Sequence, residues 1–559
     1  MLTATLSFAA GSNEEETVAR AESNVPQYGG TVTTYSRLNE PPSPDIQVAN
    51  ALACNWLEPM QQRPLIGDWE QYGPNGTGEW KFQTRAYVPD EYLRGDLLES
   101  WEVTPEKAIW HVRQGVYWSP NEQQSTWMER RELTADDIVY DLQEFIDSPW
   151  GGRFNGMVKD VYATDKYTAV IEFDEFSNLF MYFAGYEERA VIAPPELANS
   201  PGGPGQWENQ VGTGPFMFEE YVVGSHMSYV RNPDYWGTTT IDGIEYELPF
   251  IDRLTITVTP DASTRLAALR TGKFDIHELV PTASWSSLDK TNPELLKSKY
   301  SVQTSSIDLQ TLEPPFNNRD VRRAMMIGTD LATLADFADA GDLPLHCFPT
   351  HPDNTGPYTP FEELPADAQL LYDYNPELAL QMLADAGYPD GFEIDLLTLI
   401  PDQLDEASLI ADMWSKIGVT VNINPQDFVS WRGKFYSEKW SGAVTSSVEV
   451  GNALTAVTQL GGSTGFMNHT GYANPVVDEI SSKVTKEFDL DKQNAMLREA
   501  GVIMLNDAAV IPLHLRPEAT YWWPWLKNYY GEVSLQDGLI YTMPQYWWID
   551  QDMKADMGY

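Results

Sequence analysis

The chain has 559 residues, 42% of them hydrophobic and 12% aromatic, enough to bury more than one core and consistent with two or three domains. Its 82 acidic residues against 36 basic ones leave a formal charge of −46, which opposes binding to nucleic acid or anionic lipid and suits a secreted protein or a saline habitat. Only Cys54 and Cys347 occur, which excludes a disulfide scaffold and leaves either one bridge or two buried thiols.

Residues 2–10 form a short apolar run, and Glu14, Glu15 and Glu16 open an acidic linker, so 1–27 reads as a targeting remnant and linker. No basic stretch precedes that run and no lipobox cysteine follows it. Gly29 to Tyr35 is the first predicted strand, and the loop from Ser36 to Pro42 follows it. Residues 110–118 alternate as a strand, after which Thr134 caps a helix with Asp137 at its favourable N-terminal end. The Pro-Gly-Gly-Pro-Gly of 201–205 is a loop. Residues 232–237, Asn-Pro-Asp-Tyr-Trp-Gly, form a turn ahead of a β-branched strand at 254–258. Asp261 then caps a helix with apolar positions at Leu266, Leu269 and Phe274, completing an α/β unit. Further on, Asp320 lies near a helix start, and Asn375, Pro376 and Gly387 mark the cap, first position and stop of another helix. A strand after Asp390, helical spacing from Leu409 to Ile417 and a strand from Gly418 to Ile423 complete the series.

In order and spacing these motifs resemble family 5 extracellular solute-binding proteins, the receptors for oligopeptide, oligosaccharide and nickel ABC importers. The resemblance implies an α/β, two-lobed periplasmic-binding-protein fold with a cleft between the lobes and an extra subdomain in the first. It places the first lobe at 28–280 with its insertion at about 70–210, the second lobe at 281–510, and the return to the first lobe at 511–559. The expected crossings lie near 275–280 and 510–514. Such a receptor closes its hinge around a small ligand and passes it to the importer's transmembrane subunits, without catalysis or cofactor, as a periplasmic or extracellular monomer. No Gly-x4-Gly-Lys-Ser/Thr loop occurs, so any ATPase is another subunit.

The ligand is where the chain departs from the peptide-binding branch. Peptide receptors of this family hold the ligand's ammonium with an aspartate in a Gly-Trp-x-x-Asp segment, some adding an arginine three residues before the tryptophan. The matching stretch puts Val444 at the arginine, Ser447 at the tryptophan and Val450 at the aspartate, although a shift of one residue brings Glu449 into that role. An ammonium left unpaired in a closed cleft costs several kcal/mol. The expectation is therefore an oligosaccharide, with oligopeptide as the alternative. Trp285, Trp431 and Phe466 would supply flat faces, Asn468 and Glu449 polar contacts, and Tyr35 and Glu40 the first-lobe side. Core packing is the competing reading for each tryptophan, and the cluster of Trp522, Trp523 and Trp525 reads as packing.

His346, Cys347 and His351 offer three soft or borderline metal ligands within six residues, and the family includes a nickel receptor. Pro344, Pro349 and Pro352 make that stretch irregular and no fourth ligand is evident, so no metal is expected. A carbohydrate-active hydrolase is the alternative of another class, but it needs two carboxylates about 5–10 Å apart and nothing singles out a pair. No His-Glu-x-x-His or Cys-x-x-Cys pattern is present.

Overall fold

The computed structural model describes residues 25–36, 40, 41, 43–45, 54–85, 88–341, 343–399, 403–437, 440–465 and 467–559. The apolar run at 2–10 and Phe466 lie outside them.

The first lobe is built on a four-stranded sheet. Thr31–Tyr35 runs parallel to Arg253–Thr257, which pairs antiparallel with His226–Arg231, itself antiparallel to Phe216–Val222. Alternation buries Leu254 and Ile256 completely and leaves Thr255 and Thr257 half-buried, the period of two expected when one face packs on a core. Asp261 accepts from the Thr264 N–H at 2.7 Å, capping Ala262–Arg270 as its sequence predicts.

An antiparallel subdomain, inserted in the first lobe, orders its strands Leu98–Val103, Lys107–Val112, Thr168–Phe173 and Val158–Asp165. The helix Ala135–Asp147 packs on it through Ile138, Leu142 and Phe145. Thr134 caps it as predicted, within a capping box in which the Thr134 N–H donates to Asp137 Oδ2 at 2.9 Å.

The second lobe holds a five-stranded sheet in the order Val419–Gln426, Phe392–Leu399, Ala443–Glu449, Gln303–Leu309, Val510–Leu515. The first three run parallel and the last two pair antiparallel. Asn375 caps Pro376–Asp385, accepting from the Leu378 N–H at 2.9 Å, and Gly387 takes a φ of +98°, a left-handed turn that favours glycine.

A further, three-stranded sheet joins the two lobes. Glu518–Trp522 lies between Ile276–His277 and Leu296–Tyr300, antiparallel to both. The chain passes from this sheet to the second lobe between Tyr300 and Gln303, and returns between Leu515 and Glu518. The division expected at 281 lies ahead of the helix Thr282–Thr291 and the strand Leu296–Tyr300, both traversed before the chain changes sheets.

Buried Asp275 ties three parts of the sequence together. It accepts from Thr33 N–H, Trp525 Nε1 and Lys554 Nζ, each at 2.8 Å. Trp523 and Trp525 stack at 4.4 Å in nearly parallel planes, packing the end of the chain against the first lobe. Cys54 and Cys347 are free and buried, so no bridge joins them, and Cys347 Sγ sits 3.1 Å from Thr304 Oγ1.

Candidate ligand cleft

A cleft of about 790 Å³ opens where the two lobes and the sheet between them meet, a volume within the usual range for small-ligand sites. Its first-lobe wall is the extended segment 79–84, its back is formed by the two crossings, and its second-lobe wall is the loop 339–355 together with Gly451. Phe82, wholly buried, holds a left-handed φ of +53°, unfavourable for a bulky side chain, while its carbonyl accepts from the Val533 N–H at 2.8 Å.

Two indoles, Trp80 and Trp285, line the cleft. Trp285 donates from Nε1 to the Val280 carbonyl at 2.8 Å, with Lys299 Nζ 4.3 Å from its ring centre. Trp80 stacks on Tyr92 at 5.3 Å. At the back, Arg85 Nη2 meets Glu518 Oε2 at 2.5 Å, with both side chains about nine-tenths buried. Tyr300 Oη lies 3.1 Å from Thr520 Oγ1 behind the same wall. Among the lining residues, Trp80 Nε1, Ser301 Oγ and His351 Nε2 are buried polar atoms with no hydrogen-bond partner among the described residues. Burial pulls the His351 imidazole below its ordinary value, against the opposing pull of the Asp353 carboxylate.

Charge is unevenly placed. Lys81 and Lys299 line the first-lobe side and the crossing, alongside Glu79, whereas Asp339 and Asp353 line the second-lobe side. Glu518 is offset by Arg85.

Of the residues singled out from sequence, Trp285 lines this cleft. Glu449 is not among its lining residues, lies two positions before Gly451, which is, and accepts from Gln303 Nε2 at 2.6 Å. The others among the described residues are placed elsewhere. Tyr35 is buried and donates to the Glu278 carbonyl at 2.6 Å, with Phe274 and His277 against its ring. Glu40 is exposed and accepts from Gly224 N–H at 2.5 Å and from the Tyr221 hydroxyl. Trp431 stacks on Phe435 at 4.8 Å, packing within the second lobe with Leu397 and Val444. Asn468 is consumed by its own loop: its amide donates to the Gly462 and Tyr472 carbonyls at 3.1 and 2.6 Å. Val444 and Val450 are fully buried, Val450 beside Cys347 and Leu515.

The histidine and cysteine loop also resolves into separate roles. His346 is held between Tyr372 Oη at 2.8 Å and the Thr359 carbonyl at 2.9 Å, and His351 Nδ1 accepts from the Asp353 N–H at 3.1 Å. Among the described residues no group of three His, Cys, Asp or Glu side chains is arranged to hold a metal ion.

Sequence reasoning missed Trp80, Lys81, Lys299 and the loop carboxylates. Their available signal was local: aromatic and basic residues alternate in 79–82, Glu-Trp-Lys-Phe, in a chain poor in basic residues.

This topology and cleft agree with the family match, in which the description bacterial extracellular solute-binding proteins, family 5 middle, covers residues 93–468. The chain belongs to the family 5 bacterial extracellular solute-binding proteins. Heme-binding protein A of Haemophilus influenzae is 28% identical to this family 5 chain over 449 residues, covering 75% of it and 78% of the relative. The dipeptide-binding protein of Escherichia coli is 26% identical over 375 residues, 62% of this chain and 64% of the relative. In fold, the family 5 chain matches the periplasmic binding protein DppA of Helicobacter pylori, solved with the peptide STSA, at a TM-score of 0.72 and 18% identity. That match covers 94% of this chain and 99% of the other. No described helix is long and apolar enough to cross a membrane.

Proposed function

We propose that this family 5 protein is the receptor of an ABC importer and that its ligand is a short peptide, bound without catalysis as the lobes close. The observation that carries the reading is the charge division of the cleft. A zwitterionic peptide would place its ammonium toward Asp339 and Asp353 and its carboxylate toward Lys81 and Lys299. Trp80 and Trp285 would pack against its side chains.

This corrects the oligosaccharide expectation. That expectation relied on the absence of an acid at Val450 and on several aromatic platforms in one cleft. Val450 is buried, Trp431 packs within its own lobe, and Asp339 and Asp353 line the cleft, which supports giving the ammonium role to acids on a different loop. The peptide-bound DppA and the relative named dipeptide-binding protein support the peptide reading. The placement of segment 79–84 and loop 339–355 on opposite lobes supports closure: a ligand touching both would gain both sets of contacts only when the lobes meet.

Thermal shift is the direct test. Protein freed of retained cargo by unfolding and refolding is expected to gain melting temperature with Ala-Ala-Ala and related tripeptides. Ligand at about 100 times its dissociation constant adds roughly 2.7 kcal/mol to the native state. N-acetylated and C-amidated versions are expected to bind at least tenfold more weakly. Stabilisation by cello- or xylo-oligosaccharides with no response to any peptide would overturn the reading.

A further inference from the structure

The lobes touch at a third place, remote along the chain from both crossings. Residues 174–178 lie between the strand Thr168–Phe173 and the helix Leu179–Gly185 of the inserted subdomain. Residues 485–489 join two second-lobe helices, Pro475–Val484 and Leu490–Asp507. Across this junction Phe176 and Phe488 stack at 4.6 Å with planes 14° apart. The Asn178 backbone N–H donates to the Thr485 carbonyl at 2.6 Å, and its side-chain amide donates to the Glu487 carbonyl at 2.7 Å. Lys486 pairs with Glu175.

The contact pairs a buried ring with a half-exposed one. Phe176 is only 6% exposed and packs edge-on against Phe173 at 5.5 Å, whereas Phe488 is 54% exposed. Asp489 caps the following helix through the Lys492 N–H at 3.2 Å, so each partner rides on a rigid element of its own lobe. None of these residues lines the cleft. A contact of this kind holds one lobe orientation, and its separation would cost less than disrupting a core.

We infer that this junction is a clasp that favours the closed arrangement of the lobes independently of ligand, so that clasp residues tune affinity without touching cargo. The inference rests on the lobe-closure reading above. A ring stack contributes on the order of 0.5–1.5 kcal/mol, which corresponds to a shift of about two- to tenfold in the closed-to-open ratio per variant.

Both native cysteines are buried, so spin labels can be directed to introduced ones. Val223→Cys in the first lobe and Val429→Cys in the second suit this purpose, the native side chains being 77% and 78% exposed. Pulsed dipolar spectroscopy on the emptied protein is expected to show a longer-distance population in Phe488→Ala and in Lys486→Glu, each with cooperative melting retained. Combining Lys486→Glu with Glu175→Lys should return the parental distribution. Unchanged distributions in the single variants would overturn the clasp. A mixture of di- to tetrapeptides separates the two possible failures. If peptides shorten the distance in the emptied parent while the clasp variants change nothing, only the clasp is wrong. If neither peptides nor substitutions move the distance, lobe closure itself fails.

Discussion

Arg85, from the first lobe, and Glu518, at the start of the returning strand, form a nearly enclosed ion pair at the back of the cleft, 2.5 Å between Nη2 and Oε2. The pair seats the segment that carries Trp80 and Lys81 against the sheet between the lobes. Ions withdrawn from water this far repay their desolvation only while both are present.

Arg85→Met is therefore expected to lower unfolding free energy by about 3–5 kcal/mol, because it strands a buried carboxylate. Adding Glu518→Met should recover much of that loss, since the apolar pair needs no counter-ion. Urea denaturation of the two single variants and the double variant measures the coupling, and simple additivity would show that the pair contributes little.

The two tryptophans nominated from sequence should behave oppositely. Trp285→Ala is expected to weaken peptide binding about tenfold with a small change in melting temperature, the loss of one packed ring being worth on the order of 1–2 kcal/mol. Trp431→Ala should leave affinity unchanged and destabilise the second lobe by about 1–3 kcal/mol through loss of its stack on Phe435. Calorimetric titration alongside thermal melts distinguishes them, and a reversed pattern would return Trp431 to the cleft.

Lys299→Met removes a cation from the wall opposite Asp339 and Asp353. Its affinity for free tripeptides is expected to fall about tenfold while its affinity for C-amidated ones changes little, and Asp353→Asn should show the same selectivity toward N-acetylated peptides. Equal losses for blocked and unblocked ligands would mean that these charges act on the fold.

Asp141 supplies a pH signature away from the cleft. Burial pushes its carboxyl up from an ordinary 3.8 to about 8, partly opposed by the Ala193 N–H that donates to it at 3.2 Å. The folded state thus holds a proton that the unfolded chain has released, so this residue's contribution is complete below about pH 4 and is lost as pH rises toward 8. Over that window stability should fall by on the order of 1 kcal/mol per pH unit through this group. Asp141→Asn is expected to remove that slope and to melt higher than the parent at pH 8, while gaining little at pH 4. Parallel pH profiles for the two proteins would place the carboxyl in contact with water.

Local chemistry made much of the fold legible in the sequence. The Asp261, Asn375 and Thr134 caps, the alternation of Leu254 and Ile256 and the glycine stop at 387 each depend on residues within a few positions of one another, so neighbours along the chain suffice to specify them. The same motifs carried the resemblance to family 5. The cleft was only partly legible because its walls come from segments hundreds of residues apart: 79–84, 299–302, 339–355 and 515–518 meet only after the chain has crossed between sheets twice. Whether an aromatic or an acid faces that space depends on which side of a strand or helix is already taken by a core. Trp431 is claimed by Phe435, Asn468 by its own loop and Val450 by Cys347 and Leu515, while Trp80, Lys81 and Lys299 border the cleft. Composition and spacing establish which residues are available, and packing between distant segments decides which of them a ligand can reach.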